Sequence, residues 1–131
     1  MTVYALDTNT LSCFLRGEGR VGERLAGTPP RHVALPSVVV YEIRYGLKRV
    51  GRRPLEQAFE HMLRVATVLD FDAEAAEHAA DIRQSLDQTG TPIGHHDLLI
   101  AATVRRHPCT LVTHNTREFA RVPGLLLEDW Y

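Results

Sequence analysis

The chain has 131 residues, of which 44% are hydrophobic and 24% charged, and its formal net charge is −1. This length suits one compact domain spanning residues 1–131. The near-zero net charge excludes nucleic-acid binding through overall charge, so any such affinity must come from local basic patches. No apolar run approaches the roughly 20 residues that span a bilayer, and the N-terminus lacks a signal-peptide pattern. We therefore expect a cytoplasmic protein.

Short apolar segments alternate with segments of helical pattern along the chain. Strands are predicted at Val3–Leu6, His32–Leu35, Thr67–Phe71, Thr110–Thr113 and, as an edge strand, Leu125–Leu127. Helices are predicted at Leu11–Leu15, Glu18–Leu25, Pro36–Lys48, Leu55–Val65, Ala73–Gln88 and His96–Arg106. This alternation predicts an α/β fold, with a short parallel sheet of about four to five strands and helices on both faces. Ligands of such sheets bind beyond the carboxyl ends of the strands, which directs attention to Asp7 and to the residues after Thr113.

Two acidic residues occupy unusual positions in the first half of the chain. Asp7 directly follows the first strand, where an aspartate serves equally well as the N-cap of the next helix. Glu42 lies at the edge of an apolar helical stripe that includes Val39 and Ile43. Burying an unpaired carboxylate is costly. Glu42 therefore requires either an arginine partner or a metal ion, and the sequence leaves both open.

Two further acids lie in the second half. Asp97 precedes Ile100 and Ala101 at helical spacing, so it is on the inward side of the first turn of its helix, which the helix dipole alone does not explain. Glu118 lies just past the last clear strand. Carboxylates gathered from several segments repel one another unless a cation lies among them. Oxygen ligands favour Mg²⁺ or Mn²⁺, and such sites commonly hydrolyse phosphodiesters.

Four blocks of sequence contain these acids: Leu6–Asn9, Ser37–Gly46, Gly94–Ala102 and Val112–Phe119. Together with Arg121–Leu125 and Glu128–Trp130, they resemble the PIN-domain toxins of the VapC type, in order and at the spacing of that family. The resemblance covers nearly the whole chain. It implies a PIN-like fold, a homodimer and a Mg²⁺-dependent endoribonuclease that accepts Mn²⁺ as a substitute. It also implies a structured RNA substrate, with tRNA expected, inhibition of translation, and a cognate VapB-type antitoxin as partner.

The resemblance also assigns roles to individual acids. Asp7, Glu42 and Asp97 match the core acids of the family, and Asp7 and Asp97 are expected to be metal ligands together with Glu42 and Glu118. Glu118 matches a fourth acid that varies within the family. Asn115 stands where many PIN domains carry aspartate, so either Asn115 or Glu118 completes the site.

Supporting roles follow from the same comparison. Thr8 and Asn9 are expected to orient Asp7, whereas the paired His95 and His96 receive no catalytic role. Arginines near the acidic cleft are expected to contact the RNA backbone. The candidates are Arg44, Arg105, Arg106, Arg117 and Arg121.

Three other functions are compatible with parts of the sequence. A phosphoryl-transfer receiver domain requires a lysine at a strand end, but the only lysine, Lys48, is at a helix end. A zinc hydrolase would need His95, His96 and His114 to converge, and no H-E-x-x-H pattern is present. A non-catalytic interaction module would arise if arginines paired with the acids. These alternatives are weaker than a metal-dependent ribonuclease.

Overall fold

Five parallel strands form one sheet in the computed structural model, which describes residues 1–131. The strands are β1 (Val3–Leu6), β2 (Val33–Pro36), β3 (Thr67–Leu69), β4 (Cys109–Val112) and β5 (Leu126–Glu128). Their spatial order is β3-β2-β1-β4-β5, and every neighbouring pair is parallel. The predicted parallel sheet is confirmed, including its edge strand.

Seven α-helices connect the strands. They are α1 (Thr8–Leu15), α2 (Val21–Ala26), α3 (Ser37–Val50), α4 (Arg53–Val65), α5 (Ala73–Thr89), α6 (His95–Arg106) and α7 (Thr116–Phe119). All six predicted helices are present, and α7 and a short 3-10 turn at Pro30–His32 are additional. Crossovers between parallel strands are right-handed. Because the chain moves towards β3 in its first half and back towards β5 in its second, helices cover both faces of the sheet, as predicted.

Several element boundaries differ from the sequence prediction for local reasons. Helix α1 begins at Thr8, three residues early, because the Asp7 side chain caps its first turn. Helix α2 begins at Val21 instead of Glu18, because Gly17 and Gly19 adopt φ angles of 70° and 64° that end the preceding segment in a turn.

The hydrophobic core lies around the three central strands and the helices that cover them. Ala5, Leu35 and Leu111 from β1, β2 and β4 are fully buried. Ile100 and Ala101 of α6 are buried as completely, so this face of α6 lies against the core. No helix of the structure has the length and apolar character needed to cross a membrane.

The order of the strands creates a crevice at one point of the sheet. From β1 the chain continues towards β2, whereas from the neighbouring β4 it continues towards β5. The connections therefore diverge at the carboxyl ends of these two strands, which is where open α/β sheets bind ligands. Leu6 and Val112 form the last register pair there. Asp7 and Thr113 are the next residues on each strand.

Candidate active site

Asp7 is buried at the carboxyl end of β1, with 4% of its surface exposed. Its Oδ1 accepts a 2.8 Å hydrogen bond from the backbone N–H of Thr10, and its Oδ2 accepts a 2.6 Å bond from the hydroxyl of Thr113. Its own backbone N–H donates to the carbonyl of Val112. The N-cap role considered from sequence is therefore real. It uses only one carboxylate oxygen, and no arginine or lysine pairs with the other.

Glu42 faces the same crevice from α3. Its Oε1 accepts a 2.6 Å hydrogen bond from the hydroxyl of Thr8, and its Oε2 lies 3.1 Å from Nδ1 of His96. The nearby Arg44 instead forms an ion pair with Glu60. An arginine partner for Glu42, which the sequence left open, is therefore absent.

Asp97 lies in the first turn of α6, and the charges of the other three acids act on its carboxyl. Burial, followed by the negative charges of Asp7, Glu42 and Glu118, raises the pKa of its carboxyl to about 6, and His96 acts in the opposite direction. Three carboxylates from three other segments therefore act on Asp97 at once. The four predicted acids share one site.

Glu118 extends from α7, whose N-cap is Asn115. The side-chain amide of Asn115 donates a 2.9 Å hydrogen bond to Oε2 of Glu118, and the backbone N–H of Asn115 donates to the hydroxyl of Thr113. The amide of Asn115 therefore holds the carboxylate of Glu118, so both residues lie together at this edge of the crevice.

The supporting residues differ from those expected. Thr8 was expected to orient Asp7 but donates to Glu42, and the side chain of Asn9 makes no hydrogen bond within the chain. Asp7 is oriented by Thr10 and Thr113. Sequence reasoning missed both, although the predicted strand ends place Thr113 beside Asp7, and an N-cap aspartate commonly bonds the N–H two or three residues later.

His96 also has a position that the sequence did not indicate. Its ring bonds Glu42 and meets the ring of Tyr41 edge-on, with the centroids 5.6 Å apart. His114, another of the candidate zinc ligands, bonds Asp129. The histidines therefore attach to different carboxylates and do not converge as a zinc hydrolase requires.

The donor set of the crevice fits a hard divalent cation. Its oxygens come from four carboxylates, and no arginine or lysine forms an ion pair with any of them. No three His, Cys, Asp or Glu side chains lie close enough together to hold a metal ion among them. Magnesium suits such an open site, because it keeps several water ligands and commonly binds through one or two carboxylates.

Most of the arginines proposed for RNA contact are already engaged within the chain. Arg44 pairs with Glu60, Arg105 bonds His78 and the carbonyl of Pro123, Arg106 pairs with Asp72 and Glu74, and Arg121 bonds the carbonyl of Pro92. Arg117 is exposed, makes no side-chain contact of this kind and directly precedes Glu118. It is the one arginine of the five whose side chain has no partner within the chain.

Comparison with known proteins identifies the family to which the chain is related. The model of the PIN domain family matches residues 4–125. The chain is 34% identical over 133 residues to the "tRNA(fMet)-specific endonuclease VapC" of Salmonella typhimurium, covering 99% of each protein.

Solved structures give the same result for the fold. The chain is similar to a chain of VapBC2 from Rickettsia felis bound to a DNA fragment from its promoter, with a TM-score of 0.87, 30% identity, and coverage of 99% of this chain and 100% of that one. It is equally similar to a chain of DNA-bound VapBC from Salmonella typhimurium, with a TM-score of 0.87, 32% identity and complete coverage of both chains.

Proposed function

The chain belongs to the PIN-domain family, and we propose that it is a divalent-metal-dependent endoribonuclease, the toxin of a type II toxin–antitoxin system of the VapBC kind. One observation carries this proposal. The carboxylates of Asp7, Glu42 and Glu118 all act on Asp97 in a crevice where no arginine or lysine neutralises them. A non-catalytic module would instead be expected to pair these acids with arginines, and a receiver domain would place a lysine there.

In this mechanism Asp7 and Asp97 would hold Mg²⁺, for which Mn²⁺ could substitute, and Glu42 and Glu118 would complete the acidic site. The bound cation would supply an activated water and would offset the charge that develops on the phosphate. Thr10 and Thr113 fix both oxygens of Asp7, so its carboxylate is oriented before the metal binds.

The remaining acids are held by their own partners. Thr8 and His96 hold the two oxygens of Glu42, and Asn115 holds Glu118. Each of these contacts leaves lone pairs of the carboxylate available. Arg117 would bind a phosphate of the RNA backbone beside the crevice.

We propose a structured RNA, and specifically a tRNA, as the substrate, because the Salmonella relative is named for an activity on tRNA(fMet). Cutting tRNA would inhibit translation, which accounts for toxicity. The substrate also places the site of action in the cytoplasm. Glu42, Asp97 and Glu118 are each partly exposed, so a phosphate of the RNA backbone could approach them from solvent.

The proposed antitoxin would occupy an apolar groove between α1, α2 and α4. The groove encloses about 440 Å³, and its walls include Phe14, Leu25, Ala58, Met62 and Val65. An amphipathic segment of a small partner could bury its apolar face there. The structural relatives are VapBC complexes, which supports a VapB-type partner. A basic side chain of this partner, placed opposite the acids, would substitute for the charge of the metal.

We also propose that the toxin is a homodimer. Tyr41 and Tyr45 lie one turn apart on α3, and 56% and 57% of their surfaces are exposed. Two large aromatic residues on one face of a helix are typical of a protein interface. A second copy meeting this face would bring the two crevices to neighbouring positions in the dimer, because Tyr41 contacts His96 at the crevice.

The experiment that tests this function is sequencing of RNA ends after induced expression of the chain. We expect new ends at a small number of positions, with tRNA prominent, and no such ends from Asp7→Asn. Co-expression of the small protein encoded by the adjacent gene should restore growth. The proposal fails if Asp7→Asn produces the same ends as the wild type.

A further inference from the structure

A second cavity lies beside the acidic crevice, between α1 and the segment that follows β4. It encloses about 210 Å³. The buried residues Thr10 and Cys13 contribute to its wall, and Asn9, Asn115, His114 and Tyr131 surround it. None of these side chains was needed to account for the metal site, apart from the contact of Asn115 with Glu118. The cavity therefore calls for a function of its own.

Two aromatic rings form one side of this cavity. The rings of His114 and Tyr131 are stacked, with centroids 4.3 Å apart and planes inclined by 28°. Asp129 holds both residues, because Oδ2 lies 3.1 Å from Nδ1 of His114 and Oδ1 accepts a 2.9 Å bond from the backbone N–H of Tyr131. The Tyr131 ring also packs against Gly19, where an added Cβ would lie 3.5 Å away. The aromatic pair is thus fixed before any ligand binds.

The pair nevertheless remains largely open to solvent. The side chain of His114 is 61% exposed and Tyr131 is 56% exposed. Two stacked rings held in one orientation while exposed offer a flat π surface. Stacking on such surfaces is how proteins bind unpaired nucleobases, and it tolerates any base because every base has a π face.

The polar groups around the cavity match the edge of a base. The carboxamide of Asn9 is exposed and forms no hydrogen bond within the chain. The amide nitrogen of Asn115 donates to Glu118, but its carbonyl oxygen has no partner. An asparagine amide carries both a donor and an acceptor, which lets it pair with the edge of a base. The cavity therefore combines a stacking surface with hydrogen-bonding groups.

The cavity is also linked directly to the acids. Thr10 lines it and donates its backbone N–H to Asp7, and Asn115 lines it and donates to Glu118. A base bound there would belong to a nucleotide next to the phosphate in the crevice. We propose that this cavity binds the nucleobase flanking the cleaved bond, stacked on the His114–Tyr131 pair with its edge towards Asn9 and Asn115. This inference rests on the proposed ribonuclease function and adds a substrate subsite to it.

The test uses a short RNA that contains the mapped cleavage site, and a second RNA in which the flanking nucleotide is abasic. Removing the base should raise the KM of the wild type about 10-fold with little change in kcat, in keeping with the stacking energy of one base. His114→Ala and Tyr131→Ala should raise the KM for the intact RNA by a similar factor. Neither substitution should raise the KM for the abasic RNA further, because the base that the two rings would bind is already missing.

Two controls separate a base subsite from a structural role. Tyr131→Phe keeps the ring and should retain the KM of the wild type. Leu126→Ala removes a side chain of similar exposure on β5 and should also have no effect. As a second measurement, the fluorescence of 2-aminopurine at the flanking position should be quenched when the RNA binds to the inactive Asp7→Asn chain. The quenching should be smaller when the chain also carries Tyr131→Ala.

The outcomes separate failure of the base subsite from failure of the proposed ribonuclease function. If the wild type cleaves intact and abasic RNA with the same KM, or if the alanine variants weaken both equally, the base subsite is wrong while the ribonuclease stands. If the alanine variants cleave normally but escape neutralisation by the antitoxin, the cavity belongs to the protein partner and the inference is also wrong. If the wild type cleaves neither RNA with Mg²⁺, the proposed function itself fails.

Discussion

The hydroxyl of Thr113 donates a 2.6 Å hydrogen bond to Oδ2 of Asp7, across 106 residues of sequence. The same hydroxyl accepts a 2.9 Å bond from the backbone N–H of Asn115, whose side chain holds Glu118. One buried threonine therefore connects the acid at the end of β1 to the acid on α7. This connection links the end of β1 to the start of α7 through one side chain.

Thr113→Val should weaken metal binding while leaving the fold intact. The substitution removes the donor to Asp7 without changing the shape of the side chain, and loss of such an orienting contact typically lowers metal affinity by about 10- to 100-fold. Titration with Mn²⁺ by calorimetry measures the change. Thr103→Val is the matched control, because Thr103 is equally buried but its hydroxyl bonds only the Leu99 carbonyl of its own helix. An equal loss of affinity in both variants would mean that Thr113 has no special role.

The stability of the metal-free protein should depend on pH through Asp97. Its pKa in the folded chain is about 6, above the ordinary value of 3.8, so the folded state binds the proton more tightly than the unfolded state. Stability from this group is therefore present below about pH 4 and is lost as the pH rises towards 6. In EDTA at neutral pH, Asp97→Asn should melt at a higher temperature than the wild type, and the difference should disappear at pH 4.

The result opposite in sign would contradict this account of Asp97. A lower melting temperature for Asp97→Asn at neutral pH in EDTA would mean that its carboxylate stabilises the fold through a contact with a cationic group. Adding Mg²⁺ provides an internal check. It should raise the melting temperature of the wild type and have less effect on Asp97→Asn, because the variant has lost one of the charges that attract the cation.

The sequence predicted the sheet well, because the sheet depends on short-range patterns, whereas the metal-binding role of the four acids stays a prediction. Alternation of apolar strands with helices fixed the fold class, and the inward position of Asp97 followed from helical spacing alone. The partners of the acids were harder to predict. Thr8 adjoins Asp7 in sequence but bonds Glu42, because the first turn of α1 directs its side chain across to α3. That direction depends on where α1 begins, and the predicted start was three residues late.

His96 illustrates a second limit of the sequence. Its neighbour Asp97 was assigned to the site, whereas His96 was given no role because no zinc pattern surrounds it. The contact with Glu42 arises only when the N-terminus of α6 packs beside α3. Nothing in the local pattern of either helix encodes that packing. The arginines show the same limit, because their ion pairs with Glu60, Asp72 and Glu74 join separate elements.

Glu42→Gln should lower the cleavage rate on the order of 10- to 100-fold, because it removes one of the charges that hold the cation while keeping the hydrogen bond from Thr8. Asp81→Asn is the control, since Asp81 is an exposed acid of α5 that forms no ion pair. The cleavage rates of both variants are measured with the same RNA at saturating Mg²⁺. If both substitutions slow cleavage alike, the effect is one of total charge and not of the site.

Arg117→Ala should weaken RNA binding and reduce the slope of log affinity against log salt by about 1, as expected for the loss of one phosphate contact. Arg106→Ala should leave that slope unchanged, because Arg106 is already paired with Asp72 and Glu74. Binding of RNA to the inactive Asp7→Asn chain at several salt concentrations measures both slopes. A larger slope change for Arg106→Ala than for Arg117→Ala would show that RNA binds another face.

The most direct test of the acidic site is the single-turnover cleavage rate of tRNA over a titration of Mg²⁺, for the wild type and for Asp7→Asn. We expect no cleavage by the wild type in excess EDTA, a rate that rises to saturation with Mg²⁺, and recovery with Mn²⁺. Asp7→Asn should remain folded and stay at the background rate at every concentration, because the amide cannot supply the missing charge. Full cleavage by the wild type in excess EDTA, or wild-type rates from Asp7→Asn, would contradict the account.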